Sequence, residues 1–282
     1  VGYLAWRSLP LNKRPKLVTT FHGFYSINQY SAIMTKGERV ICVSHTIADH
    51  IQKHYRVPTT KLVVIHRGVD EKIFDPGVVS PERVAALRAS WQLSKDTGPI
   101  IMLPGRITRL KGHDVFIKSL ALIKALAWSA VCVGGVNEKS AYNKELKNSI
   151  AQWGLAERIK FVGHCADMPA AMMLSDVVVS ATSTEPEAFG RIAVEAQAMT
   201  KPIIATTHGG SLETVIDGKT GWLVPPINAR ALADALKQAL GDPEERRRRG
   251  HSGRRWVMKH FTIKKMCRET LQVYEDLTRV HS

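Results

Sequence analysis

The stretch that decides the fold is Glu185-Pro186-Glu187-Ala188-Phe189-Gly190-Arg191-Ile192-Ala193-Val194-Glu195. Its proline and its glycine are typical of a loop, and the apolar spacing that follows predicts a buried helix over 189–199. Glu187 is then on the loop, and Glu195 lies roughly 7–8 Å into the helix, at about 1.5 Å of rise per residue. The positive helix end between them attracts phosphate. This order of parts suits a nucleotide-diphosphate sugar, whose hydroxylated groups flank the phosphates.

Two glutamates at this spacing are also common as solvated residues beside an ordinary helix start. A cluster of cations upstream favours the interpretation as a ligand-binding site. The apolar run 99–105 predicts a buried parallel strand, and the cations Arg106, Arg109 and Lys111 follow it. Doubly wound sheets bind ligands beyond the carboxyl ends of their strands, where cations suit a diphosphate. The alternative is a surface loop that is basic because the whole chain is basic.

Composition bounds the class of protein. The chain has 282 residues, of which 44% are hydrophobic and 23% charged, as in a soluble globular protein of one large or two ordinary domains. No segment is apolar enough for a transmembrane helix. The four cysteines are far apart and form no C-x-x-C pair, which is typical of reduced cysteines in a cytosolic protein. The chain begins at Val1 without a signal peptide, so we expect a fragment or a processed chain.

The net charge of +15 favours anionic partners. Much of it lies late in the chain, in the run Arg246-Arg247-Arg248-Arg249 and the cations up to Lys265. A solvated helical face is the first interpretation of this region, and attraction to anionic lipid head groups is the second. Nucleic acid comes third, because no zinc finger, basic zipper or ribonucleoprotein motif is present.

Short apolar runs alternate with helical patterns along the chain. Strands are predicted at 16–21, 39–43, 62–66, 99–104, 130–133, 158–162, 177–181, 202–206 and 221–224. Helices are predicted at 81–91, 113–126, 141–153, 168–174, 189–199, 211–217 and 229–240. This alternation indicates βαβ units and parallel sheets. Six strands between 99 and 224 make a complete doubly wound domain, whereas the first 68 residues hold about half of one.

Several familiar motifs are absent. A Walker loop ending at Gly218-Lys219-Thr220 would need glycine where Glu213 stands, and no G-x-G-x-x-G follows a strand. His50 and His54 are one helical turn apart but have no third metal ligand in the pattern. No D-x-D pair is available to clamp a metal–diphosphate complex. We therefore expect a metal-independent reaction without a cofactor. Arg106, Lys111 and the helix dipole would stabilise the negative charge of the leaving group.

The motifs taken in order resemble the family 4 glycosyltransferases, retaining enzymes of the GT-B fold. The matching residues are Phe21-His22-Gly23, Arg67-Gly68-Val69-Asp70, Gly105-Arg106, Lys111-Gly112, Glu187-Ala188-Phe189-Gly190, Glu195, His208-Gly209-Gly210, Glu213, Asp217-Gly218 and Gly221-Trp222-Leu223-Val224-Pro225. The resemblance covers about residues 16–240. It implies an α/β fold of two Rossmann-like, doubly wound parallel-sheet domains, the first of them incomplete.

The resemblance also assigns roles to particular residues. Arg106 and Lys111 would bind the diphosphate, Glu195 the ribose hydroxyls, and Glu187 the hydroxyls of the donor sugar. We assign Glu187 to donor positioning, because retention can arise from same-face attack with the leaving phosphate as base.

Four further residues complete the implied site. The amides of Phe189 and Gly190 would lie near the phosphate, and the loop containing His164 near the nucleobase. His22 would reach the reacting sugar across the cleft, and it joins Glu187 as a candidate catalytic residue.

The same resemblance implies the domain limits. Residues 1–76 would form a partial acceptor-side domain with a linker at 68–81, residues 77–255 the nucleotide-sugar domain, and residues 256–282 a helix that packs back on the first domain. The family has a long additional segment before the His-Gly strand, so acceptor binding and activity are open questions for this chain. Thr200 stands where the family usually has glycine, and we expect little consequence.

The function expected from these observations is transfer of a hexosyl group from a UDP- or GDP-sugar to a hydroxyl acceptor. The basic surplus favours a membrane-associated acceptor, such as a lipopolysaccharide core or glycolipid, reached from the cytoplasm at an anionic membrane surface. A sugar-nucleotide 2-epimerase of the same fold is one alternative. A donor-binding remnant without activity is another, and a nucleic-acid binder is the least favoured.

Overall fold

A computed structural model describes residues 2–94 and 98–279 of the chain. These residues divide into two compact units, and each has its own parallel sheet. Unit 1 is built from residues 2–68 and 263–279, and unit 2 from residues 69–94 and 98–262. The domain boundaries predicted from the sequence lie after residues 76 and 255, whereas the two units divide after residues 68 and 262.

The strands of the described residues are β1 (Val18–Phe21), β2 (Arg39–Cys42), β3 (Leu62–Val64), β4 (Ile100–Pro104), β5 (Ser129–Val133), β6 (Ile159–Gly163), β7 (Val177–Ser180), β8 (Ile203–Thr206) and β9 (Gly221–Val224). The helices are α1 (Gly2–Ser8), α2 (Gln29–Ala32), α3 (His45–Tyr55), α4 (Pro81–Ser90), α5 (His113–Leu122), α6 (Ala141–Gln152), α7 (Met168–Leu174), α8 (Arg191–Ala198), α9 (Ser211–Thr214), α10 (Ala229–Gly241), α11 (Pro243–His260) and α12 (Ile263–Arg279).

Both sheets are entirely parallel among the described strands. Unit 1 has the strand order β1-β2-β3, and unit 2 has the order β6-β5-β4-β7-β8-β9. Every predicted strand is present within two residues of its predicted bounds. The predicted α/β class is therefore confirmed, with a complete sheet in the second unit and a smaller one in the first.

The three-stranded sheet of unit 1 is covered by the last helix of the chain. Val273 and Leu277, one turn apart on α12, pack with Ile41 and Ile65 in a buried cluster. A three-stranded sheet needs such a cover, because burial of its apolar face supplies most of its stability. Residues from both ends of the described sequence therefore build one core.

The core of unit 2 has two layers, and β4 contributes to both. Ile101 and Leu103 point into the layer shared with α5, α6 and α10. Ile100 and Met102 point into the opposite layer, which contains α7 and α8. Because alternate residues of a strand face opposite sides, a strand covered on both sides must be apolar throughout. All five residues of β4 are buried, as expected for a central strand.

The helix predicted over 113–126 ends at Leu122. Two further predicted helix bounds were wrong for local reasons. The helix predicted from Phe189 begins at Arg191, because Gly190 is its N-cap with a left-handed φ of +88°. The helix predicted over 211–217 ends at Thr214, and Val215 is already extended. Apolar periodicity continues past both points, so it does not mark the backbone change.

The predicted linker at 68–81 is attached to the end of α11 within unit 2. The Val69 amide donates to the Phe261 carbonyl at 2.8 Å. Arg254 of α11 donates to the Phe74 carbonyl at 3.4 Å and to Asp75 at 3.1 Å. These contacts hold residues 69–75 against α11, so this part of the linker has a defined conformation.

The backbone conformation at Thr200 is less favourable for threonine than for glycine. Its φ is +57°, in the left-handed region that favours glycine, and its carbonyl contacts α11. A non-glycine residue in this conformation costs about 1–2 kcal/mol. The glycine that the family resemblance implies at this position would avoid this cost, whereas threonine is accommodated at a moderate cost.

Close packing of α11 on unit 2 depends on Gly250. A Cβ built on this glycine would lie 2.0 Å from the Thr200 carbonyl oxygen. The basic helix α11 is thus an integral part of unit 2.

None of the described helices is both long and apolar enough to span a bilayer.

We predict that Gly250→Ala lowers the free energy of unfolding by about 1–3 kcal/mol, because the added methyl group overpacks a backbone contact. Gly241→Ala is the matched control, since a Cβ there meets nothing within 4 Å. Urea unfolding of both variants measures the difference. Equal stability of the two would contradict the packing argument.

Candidate functional site

The candidate site lies where the strand order of unit 2 reverses. From β4 the chain proceeds to β5 on one side, whereas β7 leads to β8 on the other side. The loops after β4 and β7 therefore diverge from neighbouring strands and leave a crevice at the carboxyl edge of the sheet. Arg106 and Lys111 follow β4, and Glu187 follows β7.

Glycine allows the turn after β4 to lie directly on the end of β7. Gly112 has a φ of +68°, and a Cβ on it would lie 1.9 Å from the Ala181 carbonyl oxygen. Ser183 reinforces this contact from the β7 side. Its amide donates to the Leu110 carbonyl at 2.9 Å, and its hydroxyl donates to the Arg109 carbonyl at 2.7 Å. The basic turn is consequently attached to the loop that carries Glu187.

The two sequence clusters meet in an ion pair. Lys111 Nζ lies 2.7 Å from Glu187 Oε2, although the residues are 76 positions apart. Thr182 donates its hydroxyl to the same carboxylate oxygen at 3.1 Å. The side chains of Lys111 and Glu187 are 26% and 20% exposed, so the pair is largely removed from solvent. The structure therefore brings together the cationic turn and the first glutamate.

The backbone around Glu187 is held by the loop after β8. The Glu187 amide donates to the His208 carbonyl at 3.3 Å, and the Gly210 amide donates to the Glu187 carbonyl at 2.6 Å. A Cβ on Gly209 would lie 2.3 Å from that carbonyl oxygen. The His-Gly-Gly motif thus lets a second loop approach closely and orient the glutamate.

The second glutamate lies inside the first turns of α8. Glu195 is only 8% exposed, and its Oε1 lies 3.0 Å from Arg191 Nε. Before the helix, Phe189 is buried and its ring packs on Phe261 at 5.7 Å between centroids. Neither glutamate is a solvated surface residue, which favours the site interpretation of the 185–195 segment over the alternative.

The remaining predicted residues are more open. Arg106 is exposed beside Gly105, and His164 is exposed directly after β6. Both belong to the same carboxyl edge of the sheet as Lys111. His22 follows β1 in unit 1, where desolvation of its ring and then the Arg67 cation lower its pKa. His22 is therefore favoured in its neutral form, in which one ring nitrogen accepts a proton.

Sequence reasoning missed the residues that support the ion pair. Thr182 and Ser183 end the β7 strand pattern as ordinary polar residues, and only their contacts show their use. His113 is also informative, because it is fully buried at the start of α5 beside Lys111. Neither of its ring nitrogens has a partner of good hydrogen-bond geometry among the described residues.

Comparison with known proteins identifies two sequence families along the chain. The family described as glycosyl transferases group 1 matches residues 88–256, and the family described as Glycosyltransferase Family 4 matches residues 1–72. The D-inositol 3-phosphate glycosyltransferase of Jonesia denitrificans is 32% identical over 90% of this chain and 58% of its own length. The lipopolysaccharide core biosynthesis mannosyltransferase LpsB of Rhizobium meliloti is 30% identical over 88% of this chain and 68% of its own. The chain spans 45–68% of the first five curated relatives.

Solved structures agree with these families. A glycosyltransferase from Rickettsia africae ESF-5 has a TM-score of 0.91 and 32% identity, covering 100% of this chain and 74% of that protein. Anabaena Alr3699/HepE, solved in complex with UDP and glucose, has a TM-score of 0.83 and 26% identity over 98% of this chain and 74% of that protein. The predicted GT-B fold is confirmed.

We predict that His113 makes stability depend on pH. Burial lowers its pKa to about 4, and Lys111 adds to this, whereas the Thr108 carbonyl and Asp114 oppose it. Below the unfolded pKa of about 6.5, the unfolded chain takes up a proton that the folded chain refuses until about pH 4. Stability is therefore complete above pH 6.5 and falls through this window.

The measurement is urea unfolding of the wild type and His113→Leu at pH 7 and pH 5. The wild type should lose roughly 2 kcal/mol more than the variant over this interval. Parallel pH dependence in the two proteins would contradict the assignment to His113.

Proposed function

The chain belongs to the glycosyl transferases group 1 family, and we propose that it moves a hexosyl group from a nucleotide-diphosphate sugar to a hydroxyl acceptor with retention of anomeric configuration. The observation that carries this proposal is the Lys111–Glu187 pair at the point where the strand order reverses. A cation and a carboxylate side by side suit the two chemistries of such a donor, a charged diphosphate and a neutral polyhydroxylated sugar. The bound UDP and glucose of the Anabaena relative support the donor class.

The diphosphate is proposed to lie between Lys111, Arg106 and the beginning of α8. An ammonium group has three donors, so Lys111 can keep its contact with Glu187 and still donate to a phosphate oxygen. Arg106 adds a planar fork from an exposed position on the same turn. The amides of Phe189 and Gly190 lie at the start of α8, where the helix dipole adds positive potential.

The two glutamates are proposed to hold hydroxyl groups. Both hydrogen bonds of the Glu187 side chain to described residues use Oε2, which leaves Oε1 for a hydroxyl of the donor sugar. Glu195 is proposed to accept from the ribose, since a buried carboxylate is stabilised by additional donors. The loop containing His164 is assigned to the nucleobase, and His22 to the reacting sugar.

The proposed reaction proceeds on one face of the donor sugar. The acceptor oxygen forms a bond to the anomeric carbon while the bond from that carbon to the phosphate oxygen breaks. The departing phosphate keeps the electron pair and takes the proton of the acceptor hydroxyl. Arg106, Lys111 and the α8 dipole stabilise the charge that develops on the leaving group, so the reaction is proposed to need no metal.

The acceptor is proposed to be membrane-associated, such as a lipopolysaccharide core or another glycolipid, with the protein peripheral on the cytoplasmic face. The name of the Rhizobium relative supports a lipopolysaccharide acceptor, and the net charge of +15 favours an anionic surface. The chain is only part of the length of these relatives. Incubation with radiolabelled UDP- and GDP-hexoses and lipid acceptors, followed by product analysis, tests transfer directly.

The assay also separates the alternatives. An altered nucleotide sugar formed without acceptor would indicate a 2-epimerase. Donor binding without any product would indicate a remnant that binds but does not react. Formation of a labelled glycolipid in the presence of added chelator would support both the transfer and its independence from metal.

We predict that Lys111→Ala weakens binding of the preferred nucleoside diphosphate by about 1.5–3 kcal/mol, because a charged hydrogen bond to the diphosphate is lost. Calorimetry against UDP and GDP first identifies that ligand and then measures the variant. Lys118→Ala, an exposed lysine on α5, is the matched control. Unchanged affinity in Lys111→Ala would show that the diphosphate site is elsewhere.

We predict that Glu195→Gln weakens binding of the nucleoside diphosphate but spares inorganic pyrophosphate, because the carboxylate is assigned to the ribose. The expected loss is about 1–3 kcal/mol for the nucleotide. Glu157→Gln, on an exposed loop, serves as the control. An equal loss for both ligands would place Glu195 at the phosphates instead.

A further inference from the structure

The arginine-rich helix α11 uses part of its positive charge to hold unit 2 together. Arg246 donates to the carbonyls of Ala239 and Leu240 at the end of α10. Arg249 lies over the Trp222 ring at 3.8 Å and pairs with Glu245. These cations are structural, and so is Arg254, which reaches the 69–75 segment. A uniformly solvated basic face therefore does not describe this helix.

A second set of α11 residues forms another stripe, in which Arg248 still donates to the Gly218 carbonyl at 2.8 Å, whereas Arg255 and Lys259 hold no other segment among the described residues. Arg248, Ser252, Arg255 and Lys259 follow at helical spacing on one side. They face Lys219, from the loop before β9, across a groove of about 490 Å³. We refer to it as the α11 groove. This volume lies in the range of small-molecule sites, about 300–1,000 Å³.

The charges of the α11 groove are largely uncompensated. Arg248 pairs with Glu245, but Lys219, Arg255 and Lys259 form no ion pair among the described residues. No carboxylate lines the groove. Several cations in a concave, partly apolar setting concentrate positive potential, and a bound anion relieves their mutual repulsion.

An aromatic wall completes the α11 groove. The rings of Trp256 and His260 lie 3.9 Å apart between centroids, and both residues line the groove. The indole Nε1–H of Trp256 is buried without an acceptor among the described residues. A buried donor without a partner is unfavourable, so an acceptor oxygen that reached it would gain a hydrogen bond.

We propose that the α11 groove is a second anion site, which binds a phosphate group that carries an organic substituent. Lys219, Arg255 and Lys259 would bind the phosphate oxygens, and Trp256 would contact the substituent. None of these residues belongs to the proposed donor site. The inference therefore goes beyond the proposed function and does not depend on it. A free phosphate monoester and the head group of an anionic lipid share this chemistry.

The test compares two double variants of the full chain, each of which replaces two cations by glutamine. Arg255→Gln with Lys259→Gln removes two charges from the α11 groove. Arg230→Gln with Lys237→Gln removes two charges from α10 in the same unit, where Asp234 lies near both side chains. The probes are glycerol phosphate, titrated by calorimetry, and sedimentation with phosphatidylcholine vesicles with or without phosphatidylglycerol. Both are measured at about 0.15 M salt, where long-range attraction is screened.

The groove pair is expected to weaken binding roughly tenfold or more, and the α10 pair to change it little. Loss with glycerol phosphate alone identifies a free phosphate ligand, and loss with phosphatidylglycerol vesicles alone identifies a lipid head group. An equal loss in the two pairs, or no binding of either probe by the wild type, overturns the proposal. The same titration in Lys111→Ala should retain groove binding, and UDP affinity should be unchanged in the groove pair. Failure of this site is thus distinguishable from failure of the proposed donor site.

Discussion

The close contact between the turn at 109–112 and the end of β7 is the constraint on which the candidate site depends. Gly112 approaches the Ala181 carbonyl so closely that any side chain would collide with it. This contact places Lys111 over the β7 loop, where its ammonium group donates to the Glu187 carboxylate, which also accepts from the Thr182 hydroxyl. Without it, the cation and the carboxylate would belong to separate loops at the edge of the sheet.

The same principle is repeated on the other side of Glu187. Gly209 brings the loop after β8 against the Glu187 backbone, so the glutamate is held from two directions. A side chain oriented before its ligand arrives loses little conformational freedom on binding. The pairing with Lys111 also compensates the charge of the partly buried Glu187 carboxylate. Preorganisation in this site therefore comes from backbone contacts that only glycine permits.

The basic character of the chain has two physical uses within unit 2. Some cations, such as Arg246 and Arg254, satisfy backbone carbonyls where segments meet. Others, such as Arg255 and Lys259, remain directed into a groove with an aromatic wall. Net charge does not distinguish these uses, because it counts every cation equally. Their contacts do, since Arg246 and Arg254 donate to carbonyls of other segments, whereas the hydrogen bond of Arg255 among the described residues goes to Ser252 of its own helix.

The sequence by itself determined the alternation of strands and helices, the α/β class and the identity of the candidate residues. These features are local, because side-chain periodicity and glycine-bounded motifs are set by neighbours along the chain. The start of α8 was missed because Gly190 changes the backbone without interrupting the apolar pattern. Only the tertiary structure decided that Lys111 meets Glu187 and that Trp256 faces a cationic groove. Such contacts depend on how distant turns and helices pack, and a linear pattern carries no information on the distance between them.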